Sequence, residues 1–130
     1  MEPKILVIDD SEDDVLLTQM VLTKISKNIK VETATSGEAG LTFLRGGNSP
    51  PSLVLLDLKM PGMDGLDVLC AIRADERLRS IPVIIVTHSD LESDRSACSM
   101  NGANSFLNKS VDLEQFKESV RKELEKWIEI

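Results

Sequence analysis

Continuous apolar runs alternate along this chain with segments of helical periodicity. The segments Lys4–Ile8, Leu53–Leu56 and Val83–Thr87 contain such runs, and none shows the apolar–polar alternation of a half-buried strand. This pattern is typical of strands buried on both faces of a parallel sheet. Two weaker segments, Lys30–Thr35 and Asn104–Leu107, predict a strand nearer the edge and a short fifth strand.

A helical pattern follows each predicted strand. Helix starts are indicated by Ser11 or Glu12, by Ser36 as an N-cap, by Asp64, and by a capping-box pattern over Ser89–Glu92. Gly46-Gly47 and Gly102 end the second and fourth helices, and the third spans Asp64–Arg73. The first helix has its apolar positions at Val15, Leu16, Met20, Val21 and Ile25. The last helix has a core stripe of Leu113, Phe116, Val120, Leu124 and Trp127.

Strand and helix therefore alternate five times along the chain. With right-handed crossovers, this order predicts an α/β fold in which helices cover both faces of a parallel sheet. A length of 130 residues suits one domain with a sizeable core, so we expect residues 1–130 to form one domain. The fourth helix, which runs through Met100, is unusually polar and should be the least firmly anchored.

The charge balance narrows the classes of partner. Lys and Arg total 15 and Asp and Glu total 22, which gives a net charge of −7. This balance argues against nonspecific binding to nucleic acid and against an anionic membrane surface. No apolar run approaches the roughly 20 residues of a membrane span. Cys70 and Cys98 lack ligand-like spacing and favour a reduced, cytoplasmic protein.

Polar side chains that could bind a ligand or take part in a reaction follow the predicted strands. Asp9-Asp10 follows the first strand, Asp57 the third, Thr87 ends the fourth, and Lys109 follows the fifth. The carboxyl ends of parallel strands share one edge, so these residues should converge. Clustered carboxylates repel each other, and Mg²⁺ would relieve that repulsion. An ammonium and a hydroxyl beside an aspartate suit a phosphoryl group, and the aspartate can itself be the nucleophile.

These residues, with Met60–Gly65 after the central aspartate, resemble the receiver domain of two-component response regulators. The similarity covers essentially the whole chain and extends to the single-domain type, such as the chemotaxis response regulator. It implies a flavodoxin-like (βα)5 doubly wound parallel sheet with strand order 2-1-3-4-5. Ser110 and the long final helix with Trp127 are also similar to the phytochrome-linked response regulators.

The resemblance implies a phosphoacceptor and a metal site. Asp57 would accept a phosphoryl group from a phosphohistidine on a sensor histidine kinase or a phosphotransfer protein. Asp10, Asp57 and the backbone carbonyl of Lys59 would ligate Mg²⁺. Asp9 would hold a metal-bound water.

The resemblance also implies a switch. Lys109 would pair with the phosphoryl group, Thr87 would swing toward it, and Phe106 would move inward as the switch aromatic. The chain would then be a stand-alone receiver without an output domain, and not an enzyme, although it assists its own phosphorylation and dephosphorylation. It would signal by phosphorylation-dependent protein contact, to an unknown target, to a phosphotransfer protein or through homodimers, with no nucleic-acid or membrane partner.

Two positions depart from the family pattern. Ser110 stands where the family usually has a proline after a cis bond, and a cis bond to a non-proline residue costs about 3–4 kcal/mol. We therefore expect the Lys109–Ser110 bond to be trans. His88 and Lys59 would flank the phosphoryl group and could obstruct an attacking water, which would lengthen the lifetime of the acyl phosphate. The competing interpretation of His88 is a half-exposed rim side chain.

Other functions fit these residues less well. A flavodoxin that binds FMN needs a phosphate-cradling first loop, but residues 10–14 are acidic. An aspartyl-phosphate hydrolase needs a second acid two residues after its nucleophile, where Lys59 stands. A pseudo-receiver that binds partners without phosphorylation remains an alternative function, because Ser110 departs from the family pattern.

Four other residues are interpreted as structural. Asp13 and Asp14 are interpreted as ordinary first-turn acids, Asp64 as a helix cap, and Trp127 as core rather than partner surface.

Overall fold

Five parallel strands form one sheet in this computed structural model, which describes residues 2–47, 49–109 and 111–130. The strands are β1 (Lys4–Ile8), β2 (Lys30–Ala34), β3 (Leu53–Leu56), β4 (Val83–Thr87) and β5 (Ser105–Asn108). The helices are α1 (Glu12–Ile25), α2 (Gly37–Arg45), α3 (Gly65–Ala74), α4 (Glu92–Met100) and α5 (Leu113–Trp127). The strand order β2-β1-β3-β4-β5, with every pair parallel, confirms the predicted fold and topology.

The continuous apolar runs form the centre of the sheet. All residues of β3 and β4 are buried, and β1 is buried from Ile5 onward. Because successive side chains of a strand point to opposite faces, each run feeds two separate cores. One core packs the sheet against α2, α3 and α4, and the other packs it against α1 and α5. The less apolar β2 lies at one edge, as its sequence predicted.

Side-chain caps set the start of four helices. Ser11, Ser36, Asp64 and Asp112 each accept a hydrogen bond from the backbone N–H three residues later. Asp64 also forms a capping box with Asp67, which confirms its interpretation as a cap. The start of α3 is fixed by Gly65, since a Cβ there would collide with the carbonyl oxygen of Asp57.

The start of α4 differs from the prediction. The helix begins at Glu92 with Leu91 as its N-cap, and no side chain caps it. The predicted capping box at Ser89 is therefore wrong, because the Ser89 hydroxyl donates to Asp94 Oδ2 at 2.5 Å instead. Cys98 is the sole buried residue along the described length of α4, which supports the expectation of a thinly packed helix.

The apolar stripes of α1 and α5 bury fewer residues than their periodicity predicted. Leu16 and Met20 of α1 are exposed by 59% and 53%. In α5 the core takes Phe116, Val120 and Leu124, whereas Leu113 and Trp127 are exposed. The prediction that Trp127 belongs to the core is therefore wrong. The helix ends at Trp127, and Ile128, in extended backbone, packs against the core instead. None of the described helices is both long and apolar enough to cross a bilayer.

Candidate functional site

The predicted polar residues meet at the carboxyl edge of the sheet. Asp9, Asp57, Thr87 and Lys109 are each less than 10% exposed, although they are polar or charged. Backbone hydrogen bonds that continue the strand ladders hold them there. The Asp57 N–H donates to the Ile8 carbonyl at 2.8 Å, and the Lys109 N–H donates to the Thr87 carbonyl at 2.7 Å. The sheet thus gathers residues that are distant in sequence.

Lys109 is the centre of charge in this site. Its side chain is 2% exposed, and its Nζ lies 2.7 Å from Asp9 Oδ2 and 2.9 Å from Asp14 Oδ2. Asp57 Oδ1 is further away, at 3.6 Å. A charged ammonium is stable in a buried position only when carboxylates pair with it. Three carboxylates lie within ion-pair distance of Lys109.

Three carboxylates form a candidate cation site. One oxygen each from Asp9, Asp10 and Asp57 lies within 4.8 Å of the others. Asp9 already accepts hydrogen bonds on both oxygens, from the Ser11 N–H at 3.0 Å and from Lys109. Asp10 is exposed, whereas Asp9 and Asp57 are buried. This set of hard oxygen donors fits Mg²⁺, which binds through one or two carboxylates and keeps several waters.

The pKa of Asp57 indicates that Lys109 compensates its buried carboxylate only in part. Burial, opposed by the charge of Lys109 and assisted by the charges of Asp9 and Asp10, raises the pKa of this carboxyl from 3.8 to about 6. Burial alone would lower the pKa of Lys109, but its hydrogen bonds to Asp9 and Asp14 raise it above its usual value. Lys109 therefore stays charged, and the carboxylate cluster still has charge that a cation could neutralise.

Of the two predicted switch residues, Thr87 is the last residue of β4 and Phe106 lies within β5. Thr87 is 1% exposed, and its Oγ1 accepts a hydrogen bond from the Ser89 N–H at 3.3 Å. Phe106 is partly buried against the core cluster that includes α4. The Arg95 guanidinium of α4 lies 4.8 Å from the centre of the Phe106 ring, a cation–π contact. Phe106 thus sits at the boundary between α4 and β5, beside a cleft of about 260 Å³.

The two proposed lifetime-tuning residues are exposed and engaged with other groups. Lys59 Nζ lies 3.3 Å from Asp94 of α4, with its side chain 63% exposed. His88 Nε2 lies 3.2 Å from Asp14 Oδ2, with its side chain 59% exposed. Both therefore occupy the rim of the site. The Lys109–Ser110 bond involves Ser110, which is outside the described residues, so its trans geometry stays a prediction.

Asp14 is the site residue that the sequence reasoning left out. It was interpreted as an ordinary first-turn acid, yet it pairs with both Lys109 and His88. The Cα–Cβ bonds of a helix tilt toward its N-terminus, so even a short acid in the first turn of α1 can point back to the sheet edge. Its neighbour Asp13 is exposed, as that interpretation expects. The available signal was the position of Asp14 one turn after a strand that ends in carboxylates.

Comparison with known proteins gives one family. The sequence model of the response regulator receiver domain matches residues 5–121. The chain is 35% identical over 128 residues to the probable methanogenesis regulatory protein FilR2 of Methanothrix harundinacea, which covers 95% of this chain and 83% of that protein. It is 35% identical over 130 residues to the response regulator Rcp1 of Synechocystis, which covers 96% of this chain and 88% of that protein.

Solved structures agree with the sequence comparison. The phosphorylated cyanobacterial phytochrome response regulator RcpA aligns with a TM-score of 0.89 and 31% identity, over 98% of this chain and 94% of that one. The Mn²⁺-bound form of response regulator Rcp1 aligns with a TM-score of 0.85 and 33% identity, over 98% of this chain and 95% of that one. These matches confirm the resemblance to response regulators, including phytochrome-linked ones, that the motifs indicated.

Proposed function

The chain belongs to the response regulator receiver family, and from this premise we propose that it is a phosphoacceptor switch. In this proposal Asp57 accepts a phosphoryl group from the phosphohistidine of a sensor histidine kinase or a phosphotransfer protein. The observation that carries the proposal is the geometry around Asp57: a buried ammonium 3.6 Å away and two further carboxylates within 4.8 Å. That arrangement provides a nucleophile, a counter-charge and a cation site at one sheet edge.

The transfer needs an ionised Asp57 and neutralisation of the incoming charge. With a pKa of about 6, Asp57 is largely ionised at neutral pH, so a carboxylate oxygen can form a bond to phosphorus. The P–N bond of the phosphohistidine breaks at the same time, and its electron pair leaves on the imidazole nitrogen. Lys109 offsets the negative charge of the phosphoryl oxygens, which is the main electrostatic demand of phosphoryl transfer.

Mg²⁺ is the cofactor that this proposal implies. Asp10, Asp57 and the Lys59 carbonyl would hold it, and Asp9 would hold one of its waters. Bound there, it would supply positive charge for the phosphoryl oxygens. Asp9 suits the indirect role because Ser11 and Lys109 already occupy its two oxygens. Both hydrogen bonds fix the orientation of the Asp9 carboxylate in the cluster.

The output would be a change in protein contacts. A phosphoryl group adds about −1.5 to −2 charges at the sheet edge, and Thr87 and Lys109 would move toward it. Phe106 would then turn inward, and the thinly packed α4 would shift with β5 and α5. Binding of a partner protein to that surface, homodimer formation and a cytoplasmic location are further parts of the proposal.

Incubation with acetyl phosphate and Mg²⁺, followed by intact mass measurement, tests the function. We expect one phosphoryl group on the native chain and none on Asp57→Asn. We also expect EDTA to prevent the gain in mass. A native chain that takes up no phosphoryl group from acetyl phosphate or from a phosphorylated kinase, with saturating Mg²⁺, would contradict the proposal. It would favour a pseudo-receiver that binds partners without phosphorylation.

A further inference from the structure

Lys109 binds more carboxylates than the proposed transfer requires. Its contacts of 2.7 Å to Asp9 and 2.9 Å to Asp14 are charge-assisted hydrogen bonds. Its 3.6 Å separation from Asp57 is too long for one. The ammonium is therefore held by two acids other than the proposed phosphoacceptor.

Asp14 differs from the other acids in the first turn of α1. Glu12 and Asp13 are exposed, whereas the Asp14 side chain is 22% exposed and reaches back to the sheet edge. Its Oδ2 accepts the hydrogen bond from Lys109 and also contacts His88 Nε2 at 3.2 Å. Because a carboxylate can only accept, His88 is the donor in that contact. One oxygen thus serves two donors, which follow two neighbouring strands.

We propose that Asp14 is a positioning residue for Lys109. It holds the ammonium away from Asp57 before phosphorylation and releases it when a phosphoryl group binds. His88 keeps a hydrogen bond to Asp14 Oδ2 after that release. This inference rests on the proposed function, since it concerns how readily Lys109 reaches the phosphoryl group.

The charges in the site are consistent with such a competition. Burial alone would raise the pKa of Asp14, but Lys109 and His88 together lower it, so Asp14 is ionised at neutral pH. A single carboxylate competes poorly with a phosphoryl group, which brings about −1.5 to −2 charges. Leaving a half-buried carboxylate without a donor is costly, and His88 reduces that cost. Without His88, Lys109 should therefore be harder to release.

Substitutions separate this role from a general effect of charge. With Mg²⁺ and beryllofluoride as a phosphoryl mimic, Asp14→Asn should bind the mimic about three- to tenfold more tightly, the scale of one partly exposed charged hydrogen bond. Asp13→Asn removes the same charge from the same helical turn and should change affinity by less than about twofold. Asp14→Glu retains the charge and should restore affinity toward that of the native chain.

His88 supplies a second, coupled test. His88→Gln should weaken beryllofluoride binding about two- to fivefold in the native background, because the His88 hydrogen bond then no longer compensates Asp14 for the loss of Lys109. In the Asp14→Asn background the same change should have a much smaller effect, since the carboxylate that His88 supports is absent. Equal effects of His88→Gln in both backgrounds would overturn the coupling and with it the proposed release.

The decisive experiment combines calorimetry with crystal structures of Asp14→Asn and Asp13→Asn solved without phosphate or its mimic. We expect Lys109 Nζ to move to about 2.7–2.9 Å from Asp57 in Asp14→Asn alone, together with the tighter binding. An unmoved Lys109, or equal affinities for Asp14→Asn and Asp13→Asn while the native chain binds the mimic, would overturn the inference and leave the proposed function intact. If the native chain neither binds beryllofluoride nor accepts phosphate, the proposed function fails, and the Lys109 positions in the two crystals still decide the positioning role.

Discussion

Replacing Asp57 by asparagine should stabilise the metal-free protein at neutral pH. The ionised carboxylate is destabilised in the folded state, because burial and the charges of Asp9 and Asp10 outweigh the attraction of Lys109. Asparagine has nearly the same shape and no charge. The effect should therefore appear as a higher free energy of unfolding for Asp57→Asn than for the native chain.

The magnitude follows from the pKa of Asp57, which is 3.8 in an unperturbed carboxyl and about 6 here. At about 1.4 kcal/mol per pH unit, that difference is worth up to roughly 3 kcal/mol, and with solvent near the open rim we expect about 1–3 kcal/mol. The pKa is raised on folding, so the contribution of Asp57 to stability is fully present below pH 3.8. It is lost as the pH rises through about 6. The advantage of Asp57→Asn should accordingly be absent at acidic pH and reach its limit above pH 6.

Urea unfolding followed by circular dichroism, in EDTA and at several pH values, measures this difference. Asp13→Asn is the matched control, because its carboxylate is exposed in the same acidic region, and it should change stability by less than about 0.5 kcal/mol. Saturating Mg²⁺ should stabilise the native chain by about 2.7 kcal/mol at a hundredfold excess over Kd, which offsets most or all of the advantage of Asp57→Asn. An advantage that is absent at pH 7.5, or as large at pH 3.5 as at pH 7.5, would refute the electrostatic reasoning.

Three further outcomes test separate parts of the structure. His88→Ala and Lys59→Asn should each shorten the lifetime of the phosphorylated protein about two- to tenfold, if these rim side chains obstruct water; unchanged dephosphorylation rates, followed by intact mass, would exclude that role. Gly65→Ala should lower stability by about 1–3 kcal/mol and weaken Mg²⁺ binding, since a Cβ would press on the Asp57 carbonyl; unaltered Mg²⁺ calorimetry would contradict this. Arg73→Lys should lose most of the roughly 2–4 kcal/mol lost in Arg73→Ala, as seen in urea unfolding. The reason is that a single ammonium cannot replace a guanidinium that bonds to Ile81 and, in a second segment, to Gly102 and Asn104; Arg73→Lys with the stability of the native chain would contradict it.

The strands and their chemistry could be predicted because each depends on local sequence alone. A strand with an apolar run such as Leu53–Leu56 has no polar face, so it is stable only where both of its faces are buried. Both faces of this strand are buried in the structure. Parallel strands place their carboxyl ends at one edge of the sheet. The strand order alone therefore predicts that Asp57 lies near Lys109, as the structure shows. The periodicity of α5 identified Phe116, Val120 and Leu124 for the same reason.

Positions at the ends of helices were less predictable, because tertiary partners compete there with local rules. The Ser-x-x-Glu pattern at Ser89 satisfies the local rule for a capping box, but the Ser89 hydroxyl bonds to Asp94, which also pairs with Lys59 of a distant loop. Asp14 satisfies the rule for a first-turn acid, yet it forms an ion pair with the buried ammonium of Lys109, which follows β5. Both errors concern side chains of residues that bond to the site, Ser89 to Thr87 and Asp14 to Lys109. In a site that binds and releases charged groups, acidic side chains pair with residues outside their own helix. The residue spacing within one helix does not reveal such pairs.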